Sequence, residues 1–248
     1  MSIFDLFPDD KSERPLMFGV TVAVVTNNKD PDKLGRVKCR FIAREKEEET
    51  DWIRVASFMA GKDRGGFFLP EVDDEVLIAF AGGDISKPYV IGSLWNSKDT
   101  APQKNEDGKN NIREIKSRSG SEFVFNDTQG KEKVIIHTPK EMEVILDDEK
   151  ETMEIHDKGS KNSIKIESKS GQITLKAEKK IVLEAGNCKI EMDGNSNSIK
   201  ISSGTSIKVN SQQINIESGG TFAAKANGML DIKSSAIVKI NGSMVKIN

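Results

Sequence analysis

Few residues of this chain are of types that do chemistry, and their spacing argues against most of it. His137 and His156 are its two imidazoles, side chains that supply metal coordination or general acid–base work. Each lies just after an apolar pair or at its edge, with no second ligand at metal spacing. Both are therefore read as strand histidines facing solvent. Asp147-Asp148, with Glu149 beside them, could imitate a calcium or acid/base site, but no glycine-bearing calcium loop surrounds them. The same segment reads as a charged turn. With 39 acidic residues, a carboxylate pair of glycosidase type can be drawn by chance. Cys39 falls in a strand and reads as a small core residue. Cys188 is far from it, so the two are expected to be free thiols of a protein folded in a reducing compartment. No Ser/His/Asp order, Walker loop or HExxH motif occurs. The chain is read as no enzyme, with no metal and no cofactor.

The elements that carry these residues are more informative. From about residue 121 onward one small unit recurs: an apolar residue, any residue, another apolar residue. The candidate core of this repeat is Val134, Ile136, Val144, Leu146, Ile164, Ile166, Ile173, Leu175, Ile181, Leu183, Ile190, Ile199, Ile201, Ile207, Val209, Ile214, Ile216, Leu230, Ile232, Val238 and Ile240. Phe123/Phe125, Met153/Ile155, Met192, Phe222/Ala224 and Val245/Ile247 continue the pattern. Starts of successive pairs lie 7 to 11 residues apart, settling near eight after Ile164. Residues two apart share one face of a strand but lie on opposite sides of a helix, so the unit is a strand. Gly, Asn, Ser, Asp and Lys between the pairs turn the corners. A fixed short period predicts an object that grows by stacking.

Composition narrows the class further. With 37 basic and 39 acidic residues the net charge is −2, which gives a nucleic-acid or anionic-membrane partner no support. No apolar run approaches the roughly 18–20 residues that span a bilayer. The opening residues lack a basic stretch followed by an apolar one, so no secretory leader is expected.

Before the repeat, residues 1–17 read as a polar arm with an apolar patch in which Phe4, Leu6 and Phe7 are candidate docking residues. Residues 18–97 read as a compact all-β domain. Strands are predicted over Phe18–Thr26, Arg36–Phe41, Trp52–Ser57, Glu75–Ala81 and Tyr89–Leu94, separated by Asn/Asp/Gly/Pro turns. Five short strands in about 80 residues suit a small Greek-key barrel of OB type. A polar linker, 98–111, leads into the repeat at 112–248.

One repeat strand cannot hold itself. Two inward aliphatics contribute roughly 1.5–3 kcal/mol each when fully buried, against about 1–2 kcal/mol of backbone entropy for every ordered residue. Two stackings fit the period. One chain could coil as a solenoid of three strands per turn, or three chains could wrap together.

Several blocks of the first domain resemble a known family. They are Leu34-Gly35-Arg36-Val37, Trp52-Ile53-Arg54-Val55, Gly65-Gly66-Phe67-Phe68-Leu69-Pro70-Glu71, Glu75-Val76-Leu77-Ile78-Ala79-Phe80, Gly82-Gly83-Asp84 and Pro88-Tyr89-Val90-Ile91-Gly92-Ser93-Leu94-Trp95-Asn96. In order and spacing they look like the spike family of contractile injection machines, the phage baseplate assembly protein V and VgrG type. The resemblance implies an all-β fold, an N-terminal OB-fold barrel followed by an intertwined trimeric β-helix. It implies a homotrimer that attaches to a baseplate hub through Phe4, Leu6 and Phe7. It also implies a PAAR-like tip cap on Met244, Val245, Ile247 and Asn248, transient contact with a target envelope, and no nucleic acid. Folding in a host cytoplasm and residence in the baseplate of a virion or tail-like particle follow from the same likeness. A receptor-binding or polysaccharide-degrading tail spike is the alternative, though aromatics nearly vanish after Phe125, leaving Phe222.

Overall fold

The architecture was read from a computed structural model, which describes residues 16–42 and 49–247. The arm residues Phe4, Leu6 and Phe7, most of the acidic run after Phe41, and Asn248 lie outside the described residues. The chain separates into two compact units, Met1–Lys176 and Ala177–Asn248.

The first unit opens with a closed barrel. Its strands are β1 (Val20–Asn27), β2 (Arg36–Phe41), β3 (Ile53–Val55), β6 (Glu75–Phe80) and β7 (Pro88–Leu94), in the order β1-β2-β3-β7-β6. These are the five predicted strands, with ends shifted by no more than two residues. Alternation explains the closure: Ala23 and Val25, Val37 and Cys39, Val76, Ile78 and Phe80 point inward from successive strands. Ile53 and Val90 complete the core. Cys39 is fully buried, and burial, with a smaller push from Glu49, raises its thiol to about 11. It is an inert core residue, as its place in a strand predicts. Between β3 and β6 a short ribbon, β4 (Ala60–Gly61) paired with β5 (Arg64–Gly65), stands where the sequence reads only as a turn.

The turn from β1 to β2 is organised by one carboxylate. Asp30 accepts hydrogen bonds from the main-chain N–H of Asp32 at 3.0 Å and of Leu34 at 3.0 Å. It also accepts from Arg36 Nε at 2.9 Å and Nη2 at 2.7 Å. The Asp30 side chain is almost wholly covered. Gly35, at φ 69°, supplies the left-handed step into β2.

After the linker come seven strands in an antiparallel meander: β8 (Ile112–Lys116), β9 (Glu122–Asn126), β10 (Lys133–His137), β11 (Glu143–Asp147), β12 (Thr152–His156), β13 (Ser163–Glu167) and β14 (Gln172–Lys176). Arg118, in the β8–β9 turn, reaches Glu71 of the barrel at 2.6 Å. The second unit begins with a three-stranded antiparallel sheet, β15 (Lys180–Ala185), β16 (Cys188–Asp193) and β17 (Ser198–Ser202). From residue 203 to 247 no strand pairs with any other among the described residues. Within one chain the repeat is an antiparallel meander as far as Ser202 and a segment with regularly spaced bends beyond.

The Arg36 guanidinium holds the Asp30 carboxyl below the usual carboxylate range. A carboxyl depressed in the folded state stabilises above its unfolded pKa, and that contribution is lost as pH falls through the folded value. Asp30→Asn is therefore expected to lower the barrel's melting temperature near pH 7, with a smaller deficit at about pH 3. Thermal melts at both pH values test this. An equal deficit at the two would exclude the carboxylate as the source.

Candidate assembly interface

Register decides what the seven-stranded sheet presents. Val134 lies opposite Phe125 and Leu146; Ile136 lies opposite Phe123 and Val144. Ile155 faces Val144 and Ile164, and Met153 faces Leu146 and Ile166. Ile173 and Leu175 close the two rows against Ile166 and Ile164. Residues directly opposite in antiparallel pairs share a face, so every apolar pair from Phe123/Phe125 to Ile173/Leu175 lies on one side. Phe123 and Phe125 meet edge to face, with centroids 4.8 Å apart.

That side is the open one. Ile136 is 47% exposed, Ile155 50% and Ile173 69%, while Asp147 on the opposite side is 4% exposed. The sheet turns the face of the pairs outward; its other face sets one apolar row, Val124, Ile135 and Ile145, between rows of charged side chains. In the second unit, Met192 pairs with Ile181 and Ile199, and Ile190 with Leu183 and Ile201, again on one face. Ile207, Val209, Ile214, Ile216, Leu230, Ile232, Val238 and Ile240 follow in the extended segment, all exposed. So are Met244, Val245 and Ile247. The candidate core residues are thus aligned by the fold as far as Ile201, and one chain leaves them largely uncovered.

The chemistry-bearing residues lie on the opposite, polar face. One row crosses five strands: Lys116, Glu122, His137, Glu143 and His156. Lys116 Nζ lies 2.5 Å from Glu122, His137 Nδ1 3.6 Å from Glu122, and His156 Nε2 3.6 Å from Glu143. The hydrogen bond from Lys116 holds the Glu122 carboxyl below its ordinary value. Both histidines are partly covered and set against glutamates, more enclosed than solvent-facing strand positions. At the far edge, Asp147 accepts from Lys133 Nζ at 2.8 Å and from the Lys150 N–H at 3.0 Å. Lys133 depresses its carboxyl. The acidic run thus ties β10 to the β11–β12 turn, as a charged turn should. Among the described residues no cluster of three metal-ligating side chains forms.

Sequence reasoning missed β8, because Arg113 stands where Ile115 would have an apolar partner two residues away. It also read one repeat where there are two regimes. Within each sheet, pair starts are 9–11 residues apart; after Ile199 they are 7–8 apart. The longer spacers reverse the chain through residues of positive φ, among them Gly130, Glu141, Glu151, Gly171, Gly186 and Asn197. No residue from 203 to 247 has positive φ, so the shorter spacers bend the chain without reversing it.

Comparison with known proteins bears most directly on the barrel. Residues 21–95 match the family model described as the type VI secretion system/phage-baseplate injector OB domain. The chain is 28% identical over 134 residues to the type VI secretion system spike protein VgrG3 of Vibrio cholerae, covering 51% of this chain and 13% of that protein. It is 28% identical to spike protein VgrG1b of Pseudomonas aeruginosa, covering 58% and 22%. It is 31% identical to VgrG5 of the same organism, covering 54% and 19%. This chain therefore spans less than a quarter of the length of each of these relatives.

Covering the open face with protein predicts a one-sided mutational pattern. Ile155→Asp should remove roughly 1.5–3 kcal/mol of buried aliphatic surface per copy and shift association to higher concentration. Lys165→Gln, on the polar face beside it, should leave association unchanged. Sedimentation at a series of concentrations reads both, and equal behaviour of the two variants would rule the face out.

Proposed function

We propose, for a VgrG-like chain whose barrel is an injector-type OB domain, that three copies assemble into the central spike of a contractile injection machine. One observation carries this reading. The chain holds a long apolar sheet face that it leaves open, followed by a 45-residue segment with no main-chain partner among the described residues. Unpaired N–H and C=O groups are costly once removed from water, and exposed aliphatic rows favour association. Copies of the same chain answer both needs, because identical segments carry identical spacing on every face. A solitary solenoid is disfavoured: residues 203–247 would then pair with their own chain about 24 residues away, and they do not.

In this reading the three sheets turn their apolar faces to a common axis, and residues 203–247 wind together into a slender prism. Its exterior carries the Lys, Glu, Asn and Ser of the polar positions. The work is mechanical: a stiff rod attached to a baseplate hub is driven into a target envelope when the sheath contracts. No turnover is assigned to it, since His137, His156 and Asp147 are engaged in cross-strand contacts. The hub docks at the barrel end, and a PAAR-like cap seats on Met244, Val245 and Ile247. These partners, and residence in the baseplate of a virion or tail-like particle, rest on the likeness to named spike proteins.

Light scattering on the purified chain should give about three times the 27.3 kDa of one copy, with the band persisting in mild SDS without boiling. A particle at the mass of one chain would end the proposal. For the cap, the double variant Val245→Asp, Ile247→Asp should keep the trimer mass and lose capture of a PAAR-like protein. Unchanged capture would place the cap elsewhere.

A further inference from the structure

The barrel carries an aromatic patch that its own fold leaves uncovered. Around the β4–β5 ribbon stand Phe58, Phe67 and Phe68, exposed by 82%, 78% and 64%, with Met59 and Leu34 beside them lining one groove. Exposure of this size in five adjacent large apolar side chains marks an interaction surface on a folded domain.

The patch is built rather than loose. A Cβ at Gly65 would lie 2.4 Å from the Met59 carbonyl oxygen, and one at Gly66 would lie 2.3 Å from the Phe58 ring. The main-chain approach at Gly65 is open only to glycine, and a side chain at Gly66 would push the Phe58 ring aside. Ser57 Oγ donates to the Gly66 carbonyl at 2.7 Å, and the Gly66 N–H donates to the Met59 carbonyl at 3.0 Å. Phe58 and Phe68 keep their ring centroids 6.2 Å apart. The ribbon thus presents its aromatics in a fixed arrangement.

Its position says what covers it. Three residues after Phe68, Glu71 grips Arg118 of the β8–β9 turn at 2.6 Å, so the patch begins within about 10 Å of chain from the sheet. The apolar face starts at that same junction with Ile115 and Phe123. Another exposed apolar group of the barrel, at Phe18, packs on Gly83, whereas Phe67 lies against Gly35. Those two sites are at opposite ends of the eight-residue strand β1, about 25 Å apart. One end of the barrel therefore carries the patch and adjoins the sheet; the other points away from it.

We infer that the Phe58/Phe67/Phe68 patch is the barrel's part of the contact between copies, packed on the neighbouring copy where barrel meets sheet. This rests on the trimer reading. It continues the apolar face of β8–β14 onto the barrel and gives each barrel a fixed place beside the next. The Phe18 end stays open in the free particle.

Thiol labelling separates the outcomes. In a Cys188→Ser background, with Cys39 buried, Phe67→Cys and Phe18→Cys begin with nearly equal exposure in the single chain, 78% and 79%. In the purified particle, without other proteins, Phe67→Cys should react with a maleimide about tenfold more slowly than Phe18→Cys, and Phe68→Cys should follow Phe67→Cys. Denaturation should make the rates equal. Equal rates in a particle of trimer mass would overturn the inference and leave the trimer standing. Equal rates in a particle of single-chain mass would overturn both.

Discussion

Beyond the barrel, the structure depends on one requirement: an antiparallel sheet with one oily face must have something laid on that face. Sheets meet it by packing a second layer or by closing on themselves. The barrel does the latter. Its five strands curl until Val25, Val37, Val76, Ile78 and Val90 touch one another and none is exposed. The meander β8–β14 does neither. Its strands are five residues long and its register does not close, so the rows from Phe123 to Leu175 have no partner within the unit. The same five-residue geometry that makes each hairpin simple makes the sheet too narrow to wrap its own core.

This difference divides the chain by energetic self-sufficiency. The barrel closes on nine buried residues of its own, so its apolar surface is covered without a partner. The meander retains its main-chain ladder and a charged face laced by Lys133–Asp147, Lys116–Glu122 and Lys165–Glu154. The more open of these pairs, Lys116–Glu122 and Lys165–Glu154, contribute little singly. They fix register more than they stabilise: a one-residue slip would set Lys against apolar neighbours and turn Ile164 or Ile166 to the polar side. Charge on one face thus keeps the apolar rows aligned on the other.

Much of this was legible in the sequence. The barrel strands were, because turn chemistry and alternation agree over Asn27–Gly35 and Gly82-Gly83. The apolar pairs were, because a period of two survives whatever the strands do next. Topology was harder to read. Chain reversal at Glu141 and Glu151 uses left-handed conformations in residues that do not favour them, so composition gave no signal there. Spacer length was the usable clue, since 9–11 residues leave room for a reversing turn and 7–8 do not. The pairing of His137 and His156 with glutamates follows from register, which needs those turns to be known first. The β4–β5 ribbon is too short for any periodicity.

The change of spacer at Ile199 carries a physical consequence for how such a chain can be extended. A hairpin meander grows by pairing each strand with the one before it, so every added strand finds its main-chain partner in the same chain. A segment that bends without reversing carries each strand onward, and its N–H and C=O groups must pair with strands from elsewhere. The first mode gives local contacts and forms readily; the second ties ordering to the arrival of other strands. Placing the local mode before the dependent one means that the apolar rows of each sheet can already be set when residues 203–247 seek partners. In the proposed trimer, copies held together through the apolar faces of the sheets would bring three identical segments to one place in matching register, where pairing is an intramolecular step in effect and not a search through solution.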